Sequence, residues 1–474
     1  MGRSPRCSTH SRLGRRSATF FRAVEPGPQR ARLRVGVEAV RGAAWFRPQF
    51  GRVVEPGKPS PELQYHPCGL RCMESVGRGR PFRCRPVLIF ATICIVLLLQ
   101  PSAGGQLRPS PTALASAPTE LVDRLRADAF TYFRLVNRSW TARVCDAFRD
   151  VSDLPIVRLH GDAHVEQYAF TEDAWGLADF DDSTRGPEFI DIVRFLGSID
   201  LATRKRGWRQ DRDALWDRFF AGYRAGLGNP ADQPPEPGIV RLLRGQAQRN
   251  RAAFLSWGEG QMQPMQEATS KSVVEGMAAF ERFIRRERPD LRSGYFAVKQ
   301  AGWLRMGVGS TATRKVLIRV QGPTTDDQDD ELLEAKEVAN LDGVSCLAES
   351  TTTPALRVVD GTRQLGRLKH DILAVGPTQL IPAAADRAEH WLNWWVSSWE
   401  PSYGEVHLDD LRSVEDLADI VYDSGVQLGA GDPTDASARK QPQLSVLRLE
   451  DRMRKETATI VEELLAGWRE LGAR

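Results

Sequence analysis

The chain has 474 residues, of which 41% are hydrophobic and 27% charged, enough apolar material for one large domain or two smaller ones. Its net charge of +4 is unevenly spread: residues 1–86 hold 18 Lys+Arg against 5 Asp+Glu, which leaves 47 basic and 56 acidic residues for the remainder. The basic balance therefore belongs to the N-terminal segment, and the folded part gives no reason to expect nucleic-acid binding.

Residues 1–72 are rich in Arg, Gly and Pro and lack apolar periodicity, which reads as a disordered or untranslated upstream segment. Met73 opens a different pattern. Arg78, Arg80, Arg83 and Arg85 precede an uncharged apolar run, Val87 to Leu99, and the small residues Ser102, Ala103, Gly104 and Gly105 follow. That is the layout of a secretory signal peptide over 73–104, with a mature protein beginning near Gly104 to Gln106. An uncleaved anchor is the alternative, although a comfortable membrane span needs roughly 20 apolar residues. Either way the expected location is outside the cytoplasm if this signal is used. Cys7, Cys68, Cys72, Cys84 and Cys94 precede the expected cleavage point, and only Cys145 and Cys346 remain. They fit one disulfide in an exported protein or two separate buried thiols.

A Ser/Pro/Ala-rich linker, 105–118, leads to a helical pattern that starts after Thr119, with Leu121, Leu125, Phe130 and Phe133 at helical spacing. Leu154 to Leu159 reads as a short strand ending in His160-Gly161-Asp162, and Trp175 to Ala178 as a second ending in Asp179. Two helices are expected over 189–226, a loop over Pro230 to Pro237, and helix again to about 285. Strands are expected at Tyr295 to Val298, Lys315 to Val320 and Leu332 to Val338. Leu356 to Val359 and Arg367 to Leu368 predict a further hairpin around Asp360-Gly361. Helices are expected over about 384–399, 412–428 and 446–471; Trp391, Trp394, Trp395 and Trp399 fit the first of these as core residues. The organisation is a catalytic-looking segment at 119–289, a small sheet at 290–375 and a helical completion at 376–474.

The densest polar cluster is His160-Gly161-Asp162-Ala163-His164 followed by Asp179-Phe180-Asp181-Asp182. Each group follows a short apolar strand. Two adjacent strands ending together set Asp162 and Asp179 side by side, where close carboxylates raise one another's pKa. A divalent cation removes that penalty, and Mg²⁺ takes carboxylates together with phosphates. A lone Asp-rich turn is more often a cap or a turn filler; two such turns, 17 residues apart and both following strands, favour a site. Gly307-Val308-Gly309-Ser310-Thr311 is a second cluster, where glycine lets the backbone approach a phosphate. Lys336, on an expected strand after it, is placed to reach a nucleotide phosphate.

These residues resemble the catalytic loop and metal-binding aspartate of the aminoglycoside phosphotransferase and protein-kinase-like superfamily. The longer stretches Leu159 to His164 and Ala178 to Pro187, with Asp191 and Arg194, resemble the bacterial family of unknown function DUF2252. The Gly307–Ser310 turn and Lys336-Glu337 are similar to that family's later motifs, so the resemblance covers roughly 120–430. It implies an α+β, protein-kinase-like two-lobed fold. It implies further that this fold is circularly permuted, because the catalytic loop precedes the glycine turn and lysine. It also implies an ATP- and Mg²⁺-dependent phosphotransferase. Asp162 would orient or deprotonate the acceptor hydroxyl and His160 would brace the loop. Asp179, with Asp181 and Gln167, would hold the metal. Lys336, Gly307, Gly309 and Ser310 would contact the nucleotide. Asp191 and Arg194 would support the loop.

Gln167 departs from the pattern, which has Asn there, as does Ala178, where the family often has Asn. The acidic partner of Lys336 is expected at Glu349. A degenerate kinase-like binding module is therefore a second reading. A third is a metal-dependent hydrolase that binds zinc through His160, Asp162, His164 and Asp179. The acceptor is an unknown small molecule or protein.

Overall fold

Asp128 divides the first helical pattern in two. Its carboxylate accepts from the Phe130 and Thr131 amides at 3.1 Å each, capping α2 (Ala129–Leu135) just where α1 (Thr119–Ala127) stops. Leu121, Leu125, Phe130 and Phe133 are all buried, as their spacing predicts. The structure is a computed structural model. It describes residues 107–109, 114, 117 and 119–473, apart from 232, 247–249, 305–312, 340, 342, 349–353, 378–393 and 442–444. The expected signal segment, the Gly307–Thr311 turn, Glu349 and Trp391 lie outside the described residues.

After α3 (Asn137–Ala147) come four strands of three residues each: β1 (Val157–Leu159), β2 (Tyr168–Phe170), β3 (Trp175–Leu177) and β4 (Thr184–Gly186). β1 pairs antiparallel with β4, and β2 with β3. The strands that precede the two polar turns thus belong to different sheets and do not run side by side as expected. The helices that follow are α4 (Phe189–Arg206), α5 (Arg212–Gly228), α6 (Gly238–Gln246) and α7 (Arg251–Gln261). α4 is apolar around most of its circumference and buried from Phe189 through Thr203, as befits a helix central to a core.

β5 (Met262–Gln263) and α8 (Glu267–Glu287) lead into the second region. Here β6 (Val298–Leu304), β7 (Lys315–Val320) and β8 (Glu331–Glu337) form an antiparallel meander. α9 (Pro354–Leu365), β9 (Leu373–Val375) and β10 (Trp394–Ser398) complete it, in the order β5-β6-β7-β8-β10-β9. Period-two alternation assigns the faces. Val316, Ile318 and Val320 pack towards Val273, Met277 and Phe280 of α8, while Leu317 packs towards Phe254 and Leu255 of α7.

Three elements differ from the sequence reading. The expected hairpin around Asp360-Gly361 is helix α9. Its buried Ala355, Val358, Val359, Thr362 and Leu365 recur at helical spacing, and contact with the sheet outweighs the turn signal of the Asp-Gly pair. Trp394–Ser398, expected within a helix, is a strand. Trp394 enters the core shared with α8 and Trp395 the one shared with α9, so the adjacent tryptophans face opposite ways. The strand expected at Tyr295 begins at Val298, with Tyr295 and Phe296 in the preceding turn.

β11 (Gly404–Glu405) pairs with β2, and α10 (Val414–Ala430), α11 (Ala436–Arg439) and α12 (Glu450–Gly472) follow. α5 and α10 touch backbone to backbone. A Cβ at Gly222 or Gly226 would meet the Tyr422 or Val426 carbonyl oxygen at 2.1 and 2.0 Å, and one at Gly425 or Gly429 would meet the Phe219 or Tyr223 oxygen at 2.4 and 2.1 Å. Cys145 of α3 and Cys346 form a disulfide across a sequence separation of 201. Helices and antiparallel sheet together make an α+β chain. No helix among the described residues is long and apolar enough to cross a membrane.

Candidate functional site

Three-residue strands supply few ladder bonds, so side chains hold the first polar turn. Asp191, in the first turn of α4, accepts from the His160 and Gly161 amides at 2.7 and 2.8 Å. Burial pushes its carboxyl up to about 6, and those two amides oppose the rise. Gly161 has φ +86°, and a Cβ there would lie 2.0 Å from the Asp182 carbonyl oxygen, so the turn requires glycine. His160 joins the two turns. Its Nε2 donates to the Ala178 carbonyl at 2.9 Å, its Nδ1 accepts from the Asp162 amide at 3.3 Å, and burial lowers its pKa to about 4, keeping the ring neutral. Asn137 adds a second link, donating to the Gly161 carbonyl at 2.9 Å and to Asp182 at 2.8 Å.

Asp162 keeps 14% of its side chain exposed. Arg194 donates to its Oδ1 at 2.8 Å, and the guanidinium carbon lies 3.4 Å from the Phe133 ring centroid. Burial raises Asp162 to about 7; Arg194 opposes the rise and Asp182 adds to it. Asp179 and Asp181 form a close carboxylate pair across one ammonium. Lys336 Nζ lies 3.2 Å from Asp179 Oδ1 and 3.2 Å from Asp181 Oδ2. Lys336 of β8 thus draws both aspartates of the second turn to one ammonium.

Asp179 has φ 58°, the one positive value outside glycine among the described residues. Such backbone is strained and persists where its surroundings hold it. Burial works against its ionisation, but the charges of Lys336 and Lys315 prevail and hold it below the usual carboxylate range. Burial and the Asp179 charge push Asp181 the other way, to about 7. Lys336, although burial opposes its charge, is held well above the lysine range by Asp179, Asp181 and Glu334. Gln167 Nε2 reaches Asp179 Oδ2 at 3.4 Å. Three carboxylates thus surround one buried ammonium, with Lys315 opposite Lys336 on the neighbouring strand. The donors are all oxygen, the preference of a hard cation such as Mg²⁺. No group of three or more His, Cys, Asp and Glu forms a metal cluster among the described residues.

The structure therefore gathers Gln167, Asp179, Asp181 and Lys336, and sets His160 and Asp162 in the adjoining turn. Gly307, Gly309 and Ser310 lie outside the described residues, as does Glu349. On its own strand Lys336 has a further acid, Glu334, at 3.8 Å, to which Trp399 Nε1 donates at 2.9 Å. Period two carried that signal: residues two apart on a strand share a face. Arg357 of α9 donates to the Asp181, Ser183 and Ala339 carbonyls at 3.1, 2.6 and 2.7 Å, and no local pattern announced it.

Residues 118–247 match the family model described as an uncharacterized protein conserved in bacteria, DUF2252. That stretch contains both polar turns, Asp191 and Arg194, while Lys336 lies beyond it. No curated protein and no solved structure matches the chain.

Proposed function

We propose that this chain is a kinase-like phosphotransferase that uses ATP and Mg²⁺ on an unknown hydroxyl acceptor. The observation that carries the reading is Lys336, on the third strand of an antiparallel meander, reaching Asp179 in the turn joined by His160 to the Asp162 turn. A strand lysine, a metal-binding aspartate and a catalytic-loop aspartate are the recurring parts of kinase sites. On this reading the fold is two-lobed and permuted, with 119–289 and 376–474 as the large lobe and 290–375 as most of the nucleotide lobe, to which β10 adds a strand.

Asp162 takes the acceptor's hydroxyl proton on the carboxylate oxygen that Arg194 leaves free. Its pKa, near operating pH, suits a base. As that proton leaves, the acceptor oxygen bonds to the transferred phosphorus and the bond to the departing nucleotide breaks. Lys336 exchanges its aspartates for phosphate oxygens. Asp191 and His160 keep the turn from moving, so catalysis rests on positioning and charge. Mg²⁺, held by Asp179, Asp181 and Gln167, would neutralise phosphate charge.

The zinc-hydrolase reading loses support, because both nitrogens of His160 are committed to backbone groups. The degenerate binding module is favoured by one observation: Gln167 contacts Asp179 only at 3.4 Å. We also place the protein in an oxidising compartment, a reading the Cys145–Cys346 disulfide supports. Calorimetry and thermal shift with ATP and GTP, with and without Mg²⁺, test the reaction. Magnesium-dependent binding that Asp179→Ala abolishes supports a kinase-like site. Binding without turnover selects the degenerate module, and no binding by the folded protein overturns both.

A further inference from the structure

Beside Asp162 lies an imidazole that makes no hydrogen bond among the described residues. His164 is wholly buried, edge-on to Phe130 at 5.9 Å and to Phe133 at 6.4 Å between ring centroids. Neither ring nitrogen has a hydrogen-bond partner among the described residues. A buried polar group left unpaired is costly, and native structures keep few of them. Burial first, then the charges of Arg134, Arg194 and His160, hold its pKa well below the imidazole range, with Asp179 opposing. The ring is therefore neutral and carries a single N–H.

One acceptor stands close by. His164 Nε2 is 3.8 Å from Asp162 Oδ2, while Arg194 holds Oδ1. A shift of roughly 1 Å brings the pair to hydrogen-bond length. A carboxylate held at one oxygen still pivots about its Cβ–Cγ bond; one held at both does not. Each carboxylate oxygen offers two lone-pair directions, so a donor at Oδ2 leaves one for an incoming hydroxyl.

We propose that His164 is a positioning residue for Asp162, donating its Nε2–H to Oδ2 so that Arg194 and His164 together fix the carboxylate. The role rests on Asp162 acting as the proton acceptor in the function proposed above. It also accounts for a second histidine two residues past Asp162 that binds no backbone group.

The test is long-range ¹H–¹⁵N spectroscopy of the full chain labelled at histidine nitrogen, at pH 8, with His164 assigned by its loss in His164→Gln and by contacts to the Phe130 and Phe133 rings. The expected result is an Nε2–H tautomer whose proton resonates downfield and moves upfield in Asp162→Ala. An Nδ1–H tautomer, or an Nε2–H signal unchanged in Asp162→Ala, overturns the proposal. Basal magnesium-dependent ATP hydrolysis provides a second arm. His164→Phe, which fills the space without a donor, should lower kcat about tenfold or more with KM for ATP unchanged, and His164→Gln should restore part of the loss. A folded His164→Phe with wild-type kcat also overturns it. If the wild type hydrolyses no ATP, that counts against the phosphotransferase reading, and the spectrum alone decides the role of His164.

Discussion

The turn region around β1–β4 and the six-stranded sheet place polar groups by different means. In the sheet, backbone ladders set the geometry and side chains inherit it: Glu334 and Lys336 share a face because a strand repeats every two residues. In the turn region the order is reversed. The strands are three residues long, and buried side chains from neighbouring helices (Asn137, Asp191 and Arg357) hold the backbone, while Arg194 holds the Asp162 carboxylate. The sheet should therefore tolerate loss of single side chains better than the turns do.

The disulfide offers the largest perturbation, because it fastens α3 to the segment leaving the sheet. Cys346→Ser should lower unfolding free energy by about 4 kcal/mol, read by urea titration, since the bond closes a long loop. An unchanged midpoint would mean that the two regions stay together without it. Asp191→Ala comes next. It strands two buried amides, and about 3 kcal/mol should be lost, whereas truncation of Gln300, exposed on β6 of the sheet, should cost almost nothing. Equal effects would erase the contrast. Gly361→Ala probes the seam where α9 meets the turns. The new Cβ would lie 1.9 Å from Ser183 Oγ, which donates to the Leu159 carbonyl at 2.7 Å and is not free to turn away. A cost of about 1–3 kcal/mol should appear as a lower Tm.

A pH dependence sharpens the same contrast. Asp181 is raised to about 7 from an ordinary value near 4, so the folded state binds its proton more tightly than the unfolded chain does. That contribution is full below about 4 and is lost as pH rises through about 7. Wild-type Tm should fall between pH 5 and 8, and Asp181→Asn should flatten the fall. A steeper fall in the variant would contradict the assignment.

The same contrast decides what was legible. The sequence alone placed Lys315 to Val320 and the helices around Trp216 and Phe219, because these segments repeat one period along their length. It found both polar turns, since two Asp-rich turns each follow a short apolar strand, 17 residues apart. It missed what depends on distant partners. Asp360-Gly361 looks like a turn until Ala355, Val358 and Val359 are seen against the sheet. Trp394 and Trp395 fit a helix until each is given its own core. Glu349, the acid expected to pair with Lys336, lies outside the described residues, and Glu334 shares the strand face of Lys336 two residues away. The reach of Arg357 to the Asp181 and Ser183 carbonyls spans 176 and 174 residues and has no local trace.

The glycine seam between α5 and α10 carries its specification in atoms that are missing. Gly222 and Gly226 face one backbone, and Gly425 and Gly429 face the other, each pair four residues apart. Sliding either helix by one residue would drive a neighbour's Cβ into a carbonyl oxygen, so the pair has a single register, fixed by steric exclusion more than by attraction. In a saturating mutational screen these four positions should stand empty whatever activity is selected, and laboratory evolution of the site would have to work around a seam that accepts no novelty.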